Sequence, residues 1–164
     1  MEGPHSKTNS RTGLSIKMID QLNMLREFHH TFRAHAEDEP TTDLTAEVIA
    51  LRVSLIQEEL DEYRKAAEAR DLVEVADALS DLMYVVLGTY VAHGLHLHAE
   101  PLFEEVHRSN MSKLDDAGEP IFREDGKVLK SDRFEQPNLE SVLSQRLLNE
   151  NPGGESSDGS SHES

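Results

Sequence analysis

Two rows of acidic side chains in this sequence have the type and spacing to bind divalent metal ions. The first row is an E-E-x-x-E motif formed by Glu58, Glu59 and Glu62. The second row lies further along the chain and consists of Glu74, Asp77 and Asp81. Carboxylates set this close repel one another unless cations bind between them, and Mg²⁺ and Mn²⁺ prefer oxygen ligands. The two rows therefore predict a metal-dependent enzyme that acts on a phosphorylated substrate.

Both rows lie in stretches that read as helix. The spacing of Glu74, Asp77 and Asp81 places them on one helical face. Asp77 and Asp81 also lie inside an apolar run, where a carboxylate is costly unless it is paired or bound to metal. A bound cation would polarise a phosphoryl oxygen and help to generate hydroxide from water. A further carboxylate, bridging or outside the ligand set, would act as the general base.

Acidic runs on helices are more often solvated surfaces, and this alternative is weighed residue by residue. For Asp61 and Glu68 we favour the surface interpretation, with Arg64 and Lys65 as partners of the nearby acids. For the acids of the two rows we favour metal binding, because two of them are embedded in an apolar stripe.

The elements that must position these rows are four predicted helices, at about residues 16–35, 44–69, 72–93 and 99–112. Thr42 or Asp43 would cap the second helix, Asp71 would cap the third, and Gly94 would end it. Residues 121–129 surround an Asp-Gly pair and predict a β-hairpin. The expected fold is therefore all-α, a four-helix bundle with a small C-terminal β-hairpin. Residues 138–148 would form a short helix or an arm.

Length and composition predict one domain with two tails. The 164 residues divide into a disordered N-terminal tail at 1–15, a helical domain at 16–140, and an arm with a disordered tail at 141–164. The third helix is apolar nearly all round between Leu82 and Leu87, and such a helix is normally buried on every side. A small bundle achieves this with a partner subunit, so we expect a homodimer or homotetramer.

The charge balance excludes several classes of partner. The chain has 16 basic and 32 acidic residues, a formal charge of −16, which disfavours nucleic-acid polymers and anionic membranes. Residues 82–92, the most apolar stretch, are too short and too interrupted to span a bilayer. The sequence has no cysteine, and no apolar segment typical of a secretory signal lies near its start. We expect a cytoplasmic protein without membrane partners.

Four sequence blocks resemble one enzyme superfamily. The blocks are E-E-L-D-E at 58–62, D-L-V-E-V-A-D-A-L-S-D-L-M-Y-V at 71–85, V-H-R-S-N-M-S-K-L at 106–114 and D-G-K-V-L-K at 125–130. In this order they resemble the MazG-like all-α nucleoside triphosphate pyrophosphohydrolases, most closely the phosphoribosyl-ATP pyrophosphohydrolase-like members. The resemblance implies that Mg²⁺, with Mn²⁺ as a substitute, binds the triphosphate. It also implies that water attacks the α-phosphorus, releasing a monophosphate and pyrophosphate.

The resemblance also assigns roles to the acids. It implies that Glu59 and Glu62 are metal ligands and that Glu58 is a further ligand or the catalytic base. For the second row, Glu74 and Asp77 match the superfamily's E-x-x-D literally. Asp81 instead fits the register of an Asp before a Leu-Leu-Tyr-like triplet, and Ala78 then stands where the Glu should be. We rank Asp81 first, Asp77 second and Glu74 third.

Further candidates would contact the substrate. Asn110 and Lys113 lie one turn apart. The resemblance implies sugar or phosphate binding, and capping of the helix C-terminus is an equal alternative. Lys127 and Lys130 of the hairpin could close over phosphates, although a surface position is slightly favoured for each. His29 is a candidate for contact with the base or the leaving pyrophosphate, although a surface or core position is favoured for a single histidine. For Phe28 and Tyr84, core packing is favoured over stacking on a base. A zinc site at His93, His96 and His98 is disfavoured.

These observations lead to one hypothesis and two alternatives. The main hypothesis is a Mg²⁺-dependent hydrolase that cleaves a nucleoside triphosphate to the monophosphate and pyrophosphate, in nucleotide-pool house-cleaning. The first alternative is the phosphoribosyl-ATP pyrophosphohydrolase of histidine biosynthesis. The second is a non-catalytic helical protein whose acidic face binds a basic partner.

Overall fold

A computed structural model describes residues 17–150, with side chains as far as residue 144. Five helices form within this range: α1 (Met18–Phe32), α2 (Ala46–Ala69), α3 (Leu72–Ala92), α4 (Ala99–Met111) and α5 (Leu139–Glu150). The predicted all-α class is confirmed. α5 occupies the segment predicted as a short helix or an arm. The predicted N-terminal tail and residues 151–164 of the C-terminal tail lie outside the described residues.

The cap of α3 follows the sequence prediction, whereas that of α2 does not. The Asp71 carboxylate accepts hydrogen bonds from the backbone N–H groups of Val73 and Glu74, at 3.0 and 3.3 Å. α2 begins after Thr45, whose hydroxyl accepts from Val48 N at 3.3 Å. The prediction of Thr42 or Asp43 was wrong because Leu44 is buried, which draws the chain inwards before the helix starts.

The C-terminal end of α1 differs from the prediction, whereas the end of α3 agrees with it. α1 stops at Phe32, since Arg33 takes the left-handed conformation with φ 55° and turns the chain back. α3 ends at Ala92 with His93 as its C-cap, and Gly94 follows with φ 67°. A side chain on Gly94 would also collide with the Glu39 backbone, so glycine is needed there for two reasons.

α3 is the central helix of the fold. α2 runs antiparallel along it, joined by a two-residue turn, and α1 packs against the C-terminal half of α3. α4 packs on α1, and α5 packs on α4. The buried core lies where α1, α3 and α4 meet, and is formed by Leu22, Leu25, Leu87, Val91 and Ala99.

The start of α3 lies outside this core. Leu72 and Val73 are 80% and 75% exposed, so the tip of the α2–α3 pair has no cover from another described helix. The packing therefore differs from the predicted closed four-helix bundle, because α2 contacts chiefly α3. Both acidic rows lie on this projecting part.

By length and composition alone, α3 is apolar enough to cross a membrane, with a mean hydropathy of 1.3 over its best window. The apolar stretch at 82–92, expected to be too short to span a bilayer, forms the C-terminal half of this helix. The buried helix of a helical bundle meets the same criterion. α3 carries three carboxylates and packs against two other helices.

The predicted β-hairpin is not confirmed. Residues 121–129 make a turn with one isolated bridge between Phe122 and Val128, and no strand forms among the described residues. The turn is closed at Gly126, which has φ 83°. All residues from 121 to 130 are exposed, so no apolar face stabilises longer strands.

Candidate functional site

Glu59 is the most perturbed carboxylate of the two acidic rows. It lies half-buried on the face of α2 that meets α3. Its Oε2 atom is buried and has no hydrogen-bond partner in the described part of the chain. Burial raises the pKa of Glu59, and the charges of four neighbours, Glu62, Asp81, Glu58 and Asp77, raise it further. An unpartnered carboxylate oxygen among like charges is the arrangement that a bound cation would stabilise.

The structure thus brings four of the other five predicted acids within electrostatic reach of Glu59. The four neighbours of Glu59 are exposed, so their carboxylates are free to change rotamer. Glu74, the sixth, is not among the groups that perturb Glu59. It lies one turn before Asp77, closer to the α2–α3 turn. The roles of all six residues stay predictions.

A cleft of about 410 Å³ opens beside this cluster, between the C-terminal part of α2 and the start of α3. Glu62 and Asp77 belong to both the cluster and the cleft wall, and Glu74 and the cap residue Asp71 are the other acids of the lining. The buried Ala66 and Ala78 lie between the two helices. Ala78 is the residue that stands where the resemblance expects a glutamate, and its small side chain lets the helices approach here.

Lys65 also lines the cleft, and the sequence interpretation missed it. It was taken only as a surface partner of the nearby acids. The expected surface pair is formed instead by Arg64, which donates to Asp61 at 2.8 Å. Lys65 follows Glu62 by three residues and so shares its face, a signal that was present in the sequence.

The donor set fits a hard divalent cation by its chemistry, because all the converging groups are carboxylates. Among the residues that the structure describes, no three His, Asp or Glu side chains are yet arranged to hold an ion. The exposed carboxylates have the freedom to close on a cation, while Glu59 is held by its burial. The cluster is therefore suited to Mg²⁺ or Mn²⁺ after rotamer changes of its exposed members.

An aromatic group lies one turn beyond Asp81 along α3. The Tyr84 ring packs edge to face on Phe28 of α1, with centroids 5.6 Å apart. The two rings are 40% and 38% exposed, so the interpretation of both as core residues does not hold within this chain. His29, the neighbour of Phe28, is buried, and its Nδ1 lies 2.6 Å from the carbonyl oxygen of His35.

The remaining predicted substrate contacts lie away from the cleft. Lys113 donates to Asn110 Oδ1 at 2.7 Å, at the end of α4. Lys130 lies over the Phe134 ring at 4.0 Å, and Lys127 is exposed on the turn. None of these four residues lines the cleft or perturbs Glu59. Their substrate-binding roles stay predictions.

α4 has a clear structural task instead. The hydroxyl of Ser109 donates to the carbonyl oxygen of Glu135 at 2.8 Å, and the Glu135 N–H donates to the Ser112 hydroxyl at 2.9 Å. Arg108 donates to both Glu105 and Glu135, which lowers the pKa of Glu105 to about 2 together with a hydrogen bond from Asn138 N. Part of the sequence block at 106–114 therefore holds the segment after the turn.

These features define an all-α protein with a carboxylate cluster between two antiparallel helices. A family model described as phosphoribosyl-ATP pyrophosphohydrolase matches residues 25–110, more than half of the chain. The protein belongs to this family. The match contains all six acids and Asn110, but leaves out Lys113, Lys127 and Lys130.

The chain is also similar to one viral protein. An uncharacterized protein of Acanthamoeba polyphaga mimivirus is 27% identical over 124 residues. The similar region covers 76% of this chain but 45% of the relative. The chain therefore spans less than half of the relative's length.

Proposed function

We propose that this protein is a Mg²⁺-dependent nucleotide pyrophosphohydrolase that converts a nucleoside triphosphate to its monophosphate and pyrophosphate, in nucleotide-pool house-cleaning. The observation that carries the proposal is Glu59, half-buried with an unpartnered oxygen among four other carboxylates. The cluster lies on the two helices at the centre of the family match, and the cleft beside it is large enough for a phosphate chain.

In this proposal the residues divide into holders of the cation and one proton acceptor. Glu59, Glu62, Asp81 and Asp77 hold the cation, with Glu74 at the edge of the set. Mg²⁺ bound there would neutralise phosphate charge and make water a better nucleophile. The Glu58 carboxylate would take a proton from the attacking water while the water oxygen forms its bond to the α-phosphorus. The bond from the α-phosphorus to the bridging oxygen breaks, and pyrophosphate leaves.

A product assay tests this proposal. The purified chain is incubated with a panel of nucleoside triphosphates and Mg²⁺ or Mn²⁺, and monophosphate, pyrophosphate and orthophosphate are separated. Glu59→Gln should lower turnover by more than about 100-fold, because it removes a ligand charge. Glu68→Gln, an exposed acid on the same helix, is the matched control and should be unchanged. Orthophosphate as the sole product, or no turnover of any nucleotide, would reject the proposal.

Metal binding is tested separately by thermal unfolding. Mn²⁺ at about 100 times its dissociation constant should stabilise the fold by about 2.7 kcal/mol, which is a rise of roughly 10 °C for a domain of this size. Glu59→Gln should abolish most of this rise. If the Tm of the wild type is unchanged by Mg²⁺ and Mn²⁺, the result would instead support the alternative of a non-catalytic helical protein.

The family description supports a second candidate, hydrolysis of phosphoribosyl-ATP in histidine biosynthesis. This substrate has the same triphosphate and would use the same cluster. Complementation of a histidine auxotroph that lacks this hydrolase tests it directly. Growth without histidine would favour this candidate, whereas failure of an active enzyme to rescue growth would favour house-cleaning.

We also propose that the active form is a homodimer or homotetramer. The support is the exposed apolar surface of the projecting helices, which includes Leu60, Leu72 and Met83. Burying this surface against a second copy would complete the bundle and shield the cleft. Light scattering should give at least twice the 18.4 kDa chain mass. Met83→Glu should reduce the mass to that of a monomer, and a monomeric wild type would reject this part.

A further inference from the structure

Arg52 is a cation without a counter-ion inside the fold. It lies half-buried on α2; its Nε donates to Thr89 Oγ1 at 3.1 Å and its Nη2 to the carbonyl oxygen of Val85 at 2.7 Å. Among the described residues it forms no ion pair. In a chain with twice as many acids as bases, an interior arginine that meets only neutral oxygens calls for an explanation.

Gly88 of α3 leaves the space that the Arg52 side chain occupies. An ideal Cβ on Gly88 would lie 2.8 Å from Arg52 Nη2 and 3.1 Å from His29 Nε2. The absence of a side chain at position 88 thus lets the guanidinium reach α3. Since Arg52 has five N–H donors in a rigid fork and the two described acceptors use only part of them, donors are left for another group.

Arg52 also lies in line with the carboxylate cluster. Asp77, Asp81, Tyr84 and Gly88 follow one another at helical spacing and share one stripe of α3. On α2, Arg52 precedes Glu59 by two turns, or about 10 Å along the axis. A ligand whose phosphates lie at the carboxylates and which extends along this stripe would pass the half-exposed Tyr84 and Phe28 rings and reach Arg52.

We propose that Arg52 determines substrate specificity by donating hydrogen bonds to a carbonyl oxygen on the base of the bound nucleotide. This inference rests on the proposed nucleotide pyrophosphohydrolase function. An arginine donates and never accepts. For a contact to a carbonyl oxygen it favours guanine or uracil over adenine, whose acceptors are ring nitrogens only. The neighbouring rings supply the apolar faces against which a base packs.

The test compares substrates that differ only in the base. Turnover of guanosine, uridine and adenosine triphosphates and of a base-free sugar triphosphate is measured for the wild type, Arg52→Lys and Gly88→Ala. The wild type should prefer the carbonyl-bearing bases over adenine by about 5- to 150-fold in kcat/KM. Both variants should lose most of this preference, and turnover of the base-free substrate should be unchanged. Arg64→Lys, on the exposed side of α2, is the matched control.

Each other outcome overturns the inference in a recognisable way. An equal loss on every substrate, including the base-free one, would assign Arg52 to phosphate binding or to stability alone. A wild type that is active without base preference, or variants with unchanged preference, would reject the specificity role and leave the proposed function standing. A wild type inactive on all nucleotides would reject both. Circular dichroism identifies a variant that fails to fold, and the second variant then decides.

Discussion

Replacing Gly88 with alanine tests the packing of Arg52 against α3 by measuring stability rather than activity. In an open helix, alanine is more favourable than glycine by about 1 kcal/mol. At position 88 the new Cβ would lie 2.8 Å from Arg52 Nη2, so the guanidinium must move. That movement weakens its hydrogen bonds to Val85 and Thr89, and hydrogen bonds of a charged group contribute about 1.5–3 kcal/mol each.

The expected magnitude follows from these opposing effects. Overpacking of this kind costs about 1–3 kcal/mol, and the weakened hydrogen bonds of Arg52 add to that cost. The gain in helix propensity offsets about 1 kcal/mol of the sum. Gly88→Ala should therefore lower the free energy of unfolding by about 1–3 kcal/mol. In an Arg52→Ala background the nearest obstacle is gone, and only the 3.1 Å approach to His29 Nε2 remains. There the same substitution should be close to neutral or stabilising by up to about 1 kcal/mol.

Urea unfolding of the wild type, both single variants and the double variant measures this change of sign. The coupling between the two positions should be at least about 1 kcal/mol. Ala76→Gly, at an exposed position of the same helix, calibrates the propensity difference in this protein. An equal cost of Gly88→Ala in both backgrounds, or stabilisation of the wild type by it, would refute the reasoning.

Three further predictions concern single groups. Asp71→Ala should lower the free energy of unfolding by about 1 kcal/mol, since α3 loses its N-cap, and an unchanged urea midpoint would contradict this. Burial and its acidic neighbours raise the pKa of Glu59 above 4.5, so its ionisation costs stability as pH rises through the folded-state pKa. Metal-free Glu59→Gln should therefore be more stable than the wild type at neutral pH but not below pH 4.5; equal stabilities at neutral pH would exclude this. Burial, with a smaller effect of Arg52, lowers the pKa of His29 from 6.5, so stability present above pH 6.5 should be lost as pH falls through the folded-state pKa. His29→Gln should flatten that pH dependence, and an unchanged slope would contradict the assignment.

The parts of this fold that follow from local chemistry could be predicted from the sequence. Asp71 caps α3 because an Asp before an apolar helix has nearby N–H groups to accept from. The acidic rows fall on two helices joined by a two-residue turn, so their approach is almost unavoidable once the helices pack. Their helical spacing and the short turn were both readable without a structure.

The features that could not be predicted from the sequence depend on tertiary contacts. Thr45 rather than Thr42 caps α2 because Leu44 is drawn into the interior, which no local signal near residue 42 reveals. The role of Arg52 depends on Thr89, 37 residues away. The Asp-Gly turn does give a reversal, but a hairpin also needs a face to pack on, and residues 121–130 have none.

The arrangement of charge along α2 and α3 implies an order of binding. The cluster around Glu59 holds five carboxylates, while Arg52 lies about two turns away and Lys65 is the cation on the cleft wall. A polyphosphate approaching the carboxylate cluster would meet net repulsion from a chain of formal charge −16. In the proposed function, divalent cations would therefore neutralise the cluster before, or together with, the phosphates. If Arg52 donates to the base as proposed, selection of a ligand by its base would require that cations first neutralise the carboxylates that repel its phosphates.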